Sequence, residues 1–151
     1  DDLLQLVRSL SSERPNLKRF LIAHSMGGLV ATGAASLAPE LFDGLVLCGP
    51  WLDLDDETKR QRPFLFPLLR IVNRILPKLV ISPGIPAENI CSDPRIVAQY
   101  LDDPLNCADT GVRARLLVSV VDYQDKLRSD KYVKISMPLL VMHGTADKLT
   151  N

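Results

Sequence analysis

Residues 21–35 read LIAHSMGGLVATGAA, an apolar run that meets His24-Ser25-Met26-Gly27-Gly28 and continues into an alanine-rich segment. The run has strand character and the segment after it has helix composition, so Ser25 falls on the turn between them. A serine at a sharp strand-to-helix turn is held in a cramped backbone that small neighbours, here Ala23 and Gly27, make accessible. The turn pushes the hydroxyl over the sheet edge and aims the first backbone N–H groups of the helix, beginning with that of Met26, at the space in front of it. This is the nucleophile-elbow pattern Gly-x-Ser-x-Gly, with Ala23 in the first glycine position. A serine N-cap on a glycine-rich helix start would explain Ser25 taken alone; the strand-turn-helix context favours the elbow.

Outward from the elbow, Leu3, Leu4, Leu6, Val7 and Leu10 recur at helical spacing before SSERPN breaks the pattern, which predicts an amphipathic helix near residues 1–14. KRFLIA, GLVLC (44–48) and PLLVM (138–142) are continuous rather than alternating apolar runs, the signature of strands covered on both faces of a parallel sheet. GGLVATGAASLA, ended by Pro39, and DTGVRARLLVSVVDYQDKL supply helices, the second with Val112, Leu116, Val120, Tyr123 and Leu127 along one face. Alternation of this kind predicts an α/β fold, a small parallel sheet flanked by helices with right-handed crossovers.

Residues 51–109 are too long for a plain αβ connection and hold most of the prolines, so a helical cap laid over the sheet edge is expected there. Within FLFPLLRIVNRILPKLVI, Leu68, Leu69, Val72, Ile75 and Leu76 form one helical face, and Arg70, Asn73 and Arg74 the other. Lys59 to Lys78 contains basic residues and no acidic ones. Prolines and charges interrupt the run, which excludes a transmembrane span. Two uses remain open: packing on the core, or peripheral contact with a membrane surface, which an apolar face beside a basic stripe suits.

The 151 residues are 46% hydrophobic and 24% charged, the balance of one soluble globular domain. Lys plus Arg equals Asp plus Glu at 18 each, so nothing steers the chain toward nucleic acid. Cys48, Cys91 and Cys107 are odd in number and widely spaced, which predicts reduced thiols and a reducing, cytoplasmic compartment. The chain opens on Asp1-Asp2 and has no apolar leader, the look of an excerpt.

The second candidate stretch is VMHGTADKLT, in which a buried strand ends and Asp147 follows His143-Gly144 after a short loop. In open α/β sheets functional groups collect at the carboxyl ends of strands. Asp147 is therefore expected beside Ser25, orienting an imidazole, although an Asp in a turn accepting backbone N–H bonds is the plain alternative. Of the two histidines, His24 adjoins the nucleophile and His143 precedes the acid. Since this fold orders its triad Ser, Asp, His, the base belongs after Asp147, and both histidines read as packing or hydrogen-bonded structural residues.

AHSMGGLVA, ILPKLVISPGI, YLDDPLNC and PLLVMHGTADKLT, in that order, resemble the monoacylglycerol lipase and lysophospholipase-like group of the α/β-hydrolase superfamily. The resemblance covers the chain but only the middle of a family member, and so implies an incomplete α/β-hydrolase fold with a cap insert. It implies Ser25 as nucleophile, Asp147 as triad acid, the Met26 amide as one oxyanion donor and Tyr100 as a residue lining the pocket under the cap. The catalytic histidine and the second oxyanion amide are expected outside these residues, so the fragment alone is expected to be inactive. The implied substrate is a lipid ester, cleaved without metal or cofactor. A lysophospholipase or small carboxylesterase shares the same triad, and a non-catalytic lipid- or partner-binding product is the alternative of another class. Tyr100 could equally be core packing, and Asp103, before Pro104, reads as a helix N-cap.

Overall fold

The computed structural model describes residues 1–53, 64–81, 86–106, 111–129 and 133–150. The chain divides into two compact units, Asp1–Asp53 with Gln124–Asn151, and Leu54–Tyr123.

The first unit is built on three parallel strands, β1 (Phe20–His24), β2 (Gly44–Cys48) and β5 (Leu139–Met142), in the order β1-β2-β5. The register pairs His24 with Cys48 and Cys48 with Met142, so the strands end level with one another. Helix α1 (Asp2–Glu13) buries Leu4 and Val7. Helix α2 (Met26–Leu37) buries Ala31, Ala34 and Ala35, and these join Phe42, Leu45 and Leu47 in the core. Small side chains let α2 lie close to the chain that follows β2: a Cβ at Gly28 would stand 2.6 Å from Pro50 Cβ. Helix α2 closes at Ala38, where Pro39 starts a single 3₁₀ turn.

Burial on both faces holds for β2, apart from its half-buried Val46 and exposed Cys48, but not for its neighbours. Ile22 of β1 is 78% exposed and all four residues of β5 are exposed. The continuous apolar run marks a strand without a solvent face, but the cover must come from neighbouring layers, and the described residues supply it only to the central strand.

In the second unit, α3 (Leu65–Ile75) and α4 (Pro94–Asp102) accompany an antiparallel ribbon of β3 (Val80–Ile81) and β4 (Val112–Arg113). The ribbon was not evident from periodicity, because two-residue strands are too short to show any. It removes Val112 from the expected helix, which begins at Ala114 and runs to Ser129 as α5. The buried residues of α5 are Ala114, Val118, Val120, Val121 and Gln124, while Leu116 is exposed. The last residues of α5, from Gln124 on, belong to the first unit, and there Gln124 Nε2 donates to the Trp51 carbonyl at 3.0 Å.

The apolar face of α3 is also rotated from the expected one. Leu69 is buried and Asn73 is half-buried, whereas Phe64, Leu68, Ile71 and Ile75 are 82%, 56%, 58% and 71% exposed. Arg70 reaches across to Asp122 of α5, with Nη2 to Oδ1 at 2.7 Å. Asp103 is not the N-cap of a helix but the C-cap residue of α4. Its side chain accepts from the Leu105 N–H at 2.8 Å in the turn after α4, while Asp93, ahead of Pro94, is the N-cap of α4 and accepts from the Arg95 N–H at 2.9 Å. Cys48 and Cys91 are free thiols, and Cys107 lies outside the described residues. Among the described residues no helix is long and apolar enough to cross a membrane.

Candidate active site

Ser25 has φ 52° and ψ −126°, the one positive φ outside glycine among the described residues. A non-glycine residue in such a region costs on the order of 1–3 kcal/mol and persists only where its surroundings over-determine it. Three hydrogen bonds do so here. The Ser25 N–H donates to the Cys48 carbonyl at 3.2 Å, and the Ser25 carbonyl accepts from the N–H groups of Gly28 at 2.9 Å and Trp51 at 3.0 Å. The steric requirement differs from the expected one: a Cβ on Gly27 would meet nothing within 4 Å, whereas Gly28 is the position with no room. Met26 opens α2, so its N–H has no partner one turn back in the helix and stands at the positive end of the helix dipole.

The ends of the three strands meet around Gly49, which adopts φ 48° and donates its N–H to the Met142 carbonyl at 2.8 Å. A Cβ at Gly49 would lie 3.5 Å from Asp147 Oδ2, 3.7 Å from Thr150 Oγ1 and 3.8 Å from His24 Cε1. The Cys48–Gly49 dipeptide thus touches the elbow of Ser25 on one side and the carboxylate of Asp147 on the other.

Asp147 sits in the loop after β5, its N–H donating to the Gly144 carbonyl at 3.1 Å. Its Oδ1 accepts from the N–H groups of Leu149 at 2.8 Å and Thr150 at 3.0 Å. Its Oδ2 accepts from the Thr150 hydroxyl at 2.8 Å and lies 3.3 Å from His143 Nε2. Desolvation pushes this carboxyl upward, but the two backbone N–H groups, the Thr150 hydroxyl and the nearby His143 outweigh it and hold it below its ordinary value. Asp147 is thus a fixed anion at neutral pH, suited to holding an imidazolium.

Both histidines are hydrogen-bonded but exposed, so neither is a packed core residue. His24 Nδ1 lies 2.8 Å from the Cys48 carbonyl, and because a carbonyl only accepts, Nδ1 carries the proton. The pairing of His143 with Asp147 was not read from the sequence, since it spans a loop rather than a helix turn. Tyr100 lies half-buried on α4 in the second unit, its carbonyl accepting from Asn106 Nδ2 at 2.6 Å.

Residues 1–151 match the family model Hydrolase_4, described as serine aminopeptidase, S33. The chain is 31% identical to the monoacylglycerol lipase of Mycolicibacterium smegmatis, an alignment covering 99% of this chain and 51% of that protein. It is 30% identical to the human monoglyceride lipase, covering 98% and 47%. Among solved structures, a soluble variant of the Saccharomyces cerevisiae monoglyceride lipase superimposes with TM-score 0.82 at 23% identity, over 99% of this chain and 51% of that one. The chain therefore spans about half the length of the relatives it matches. Its parallel sheet and flanking helices are part of an α/β-hydrolase fold.

Proposed function

Since the chain belongs to the Hydrolase_4 family of hydrolases, we propose that the protein it represents cleaves the ester bond of monoacylglycerols, with Ser25 as nucleophile and Asp147 as the acid of a Ser-Asp-His triad. The observation that carries this reading is the strained, three-point-held Ser25 at the turn after β1, with β2 between it and β5, whose following loop presents an anchored carboxylate at the same end of the sheet.

In this reading the base is a histidine that follows Asp147 in the whole protein. It takes the Ser25 proton as Oγ attacks the ester carbonyl, and Asp147 holds the resulting imidazolium. The carbonyl oxygen becomes an oxyanion beside the Met26 N–H, glycerol leaves with the proton from the imidazolium, and water then releases the fatty acid from the Ser25 ester. No metal or cofactor enters these steps. In this reading the segment around 51–109 is the cap, with Tyr100 lining its polar pocket.

The cap also carries the case for a lipid surface as partner. Phe64, Leu68, Ile71 and Ile75 recur at spacings of four, three and four and form one exposed apolar stripe along α3, with Arg74 and Lys78 exposed as well. Such a helix suits the boundary of a bilayer, where apolar groups enter the acyl region and basic ones meet anionic headgroups.

The test uses the full-length protein, with monoacylglycerol, lysophosphatidylcholine and a short-chain ester offered in parallel. Preference for the monoacylglycerol, absent in Ser25→Ala, is the expected result. Preference for the phospholipid or the short ester would replace the substrate, and activity retained in Ser25→Ala would remove the site.

A further inference from the structure

We propose that His143 is a positioning residue that occupies the Asp147 site meant for the catalytic imidazole, so that its protonation blocks the triad. The inference rests on Asp147 being the triad acid.

The argument is one of counting donors. A carboxylate offers about four acceptor positions. On Asp147, Oδ1 takes two backbone N–H groups and Oδ2 takes the Thr150 hydroxyl, all within 3.0 Å. The fourth contact is His143 Nε2 at 3.3 Å, the longest of the set. Thr150 gives its one hydroxyl proton to Asp147, so at 3.2 Å from His143 Nε2 its oxygen can only accept. Nε2 therefore bears the hydrogen and shares it between Thr150 Oγ1 and Asp147 Oδ2. An incoming imidazole N–H can reach Asp147 only by displacing one of these donors, and His143 is the one held most weakly. Once displaced from Oδ2, it keeps Thr150 Oγ1 as its acceptor.

Neutral His143 thus keeps Asp147 oriented and yields the position to the base. Cationic His143 does neither. Its contact with Oδ2 becomes charge-assisted and harder to displace, and a second positive charge beside the same carboxylate opposes the imidazolium that forms in the reaction. Strand ends β1 and β2 bring His24 and Cys48 to this region, and Lys148 follows Asp147 in the loop; the anion in contact with His143 is Asp147.

The test compares wild-type full-length protein with His143→Gln, whose amide can donate but does not ionise. Each acid limb of kcat/KM, measured on a soluble ester, is normalised to its own plateau. The expected acid limb approaches a slope of two on a logarithmic plot in the wild type and of one in His143→Gln, so that the variant loses activity less steeply as pH falls. Superimposable limbs would overturn the proposal. An independent readout is the NMR signal of the His143 Nε2 hydrogen in wild type and Asp147→Asn: loss of the carboxylate acceptor should move it, and an unmoved signal would equally refute the contact. If Asp147→Asn keeps near-normal turnover, the assignment of the acid itself fails. If turnover is lost but the two acid limbs coincide, only the role of His143 fails.

Discussion

The carboxyl end of the sheet and helix α3 of the second unit solve opposite problems. At the sheet end, short backbone hydrogen bonds fix Ser25, Gly49 and Asp147, and one forced dihedral is held in place by three contacts. Along α3, four large apolar side chains are more than half exposed. The first arrangement suits chemistry, which needs atoms held to fractions of an ångström. The second suits adhesion to a surface without fixed shape.

The contrast is broken most severely by Ser25→Ala, which should lower turnover of the full-length protein by about five or six orders of magnitude, the scale seen when a triad nucleophile is removed. Its thermal midpoint should stay near that of the wild type, because Ser25 is only half-buried and the hydrogen bonds that hold its turn are backbone ones that alanine keeps. Collapse of the fold instead would mean that the hydroxyl is structural. Asp147→Asn should cost about 10⁴ in kcat through loss of the correct imidazole tautomer, as measured on the same substrate.

A smaller effect tests the scaffold behind the elbow. Gly28→Val places a side chain where Pro50 already stands at 2.6 Å, and should destabilise by about 1–3 kcal/mol in denaturant unfolding, while Gly27→Ala, with open space, should cost less. Equal losses would show that the close approach of α2 to Pro50 is not what requires glycine. The mildest change is on the other side of the comparison. Ile71→Glu with Ile75→Glu should weaken binding to vesicles containing anionic lipid by about tenfold or more, since each apolar side chain removed from the interface forfeits on the order of 1.5 kcal/mol or more. Turnover of a soluble ester should change little. Unaltered vesicle binding would assign the stripe to another partner.

What could be read from the chain follows the same division. Strand β2 was legible to the residue because GLVLC is bounded by Asp43 on one side and the Gly49-Pro50 turn on the other. The elbow was legible because few other settings place a serine between a strand and a Gly-Gly helix start. The buried face of α3 was not, because apolar residues spread over a wide arc and periodicity cannot say which part is covered. Asp93-Pro94 and Asp103-Pro104 are equivalent as dipeptides. Only the first is followed by an apolar helical repeat, Ile96, Val97 and Tyr100, and that difference separates the N-cap from the turn. The contact of His143 with Asp147 depends on a loop conformation set by Gly144 and Thr150, which no spacing rule encodes.

The central claim, that Ser25 is the activated nucleophile, is tested most directly by treating the full-length protein with a fluorophosphonate and mapping the adduct by peptide mass spectrometry. A single adduct on Ser25, lost in Asp147→Asn because the base is no longer oriented, is the predicted result. No adduct in the wild type, or one on another residue, would contradict it.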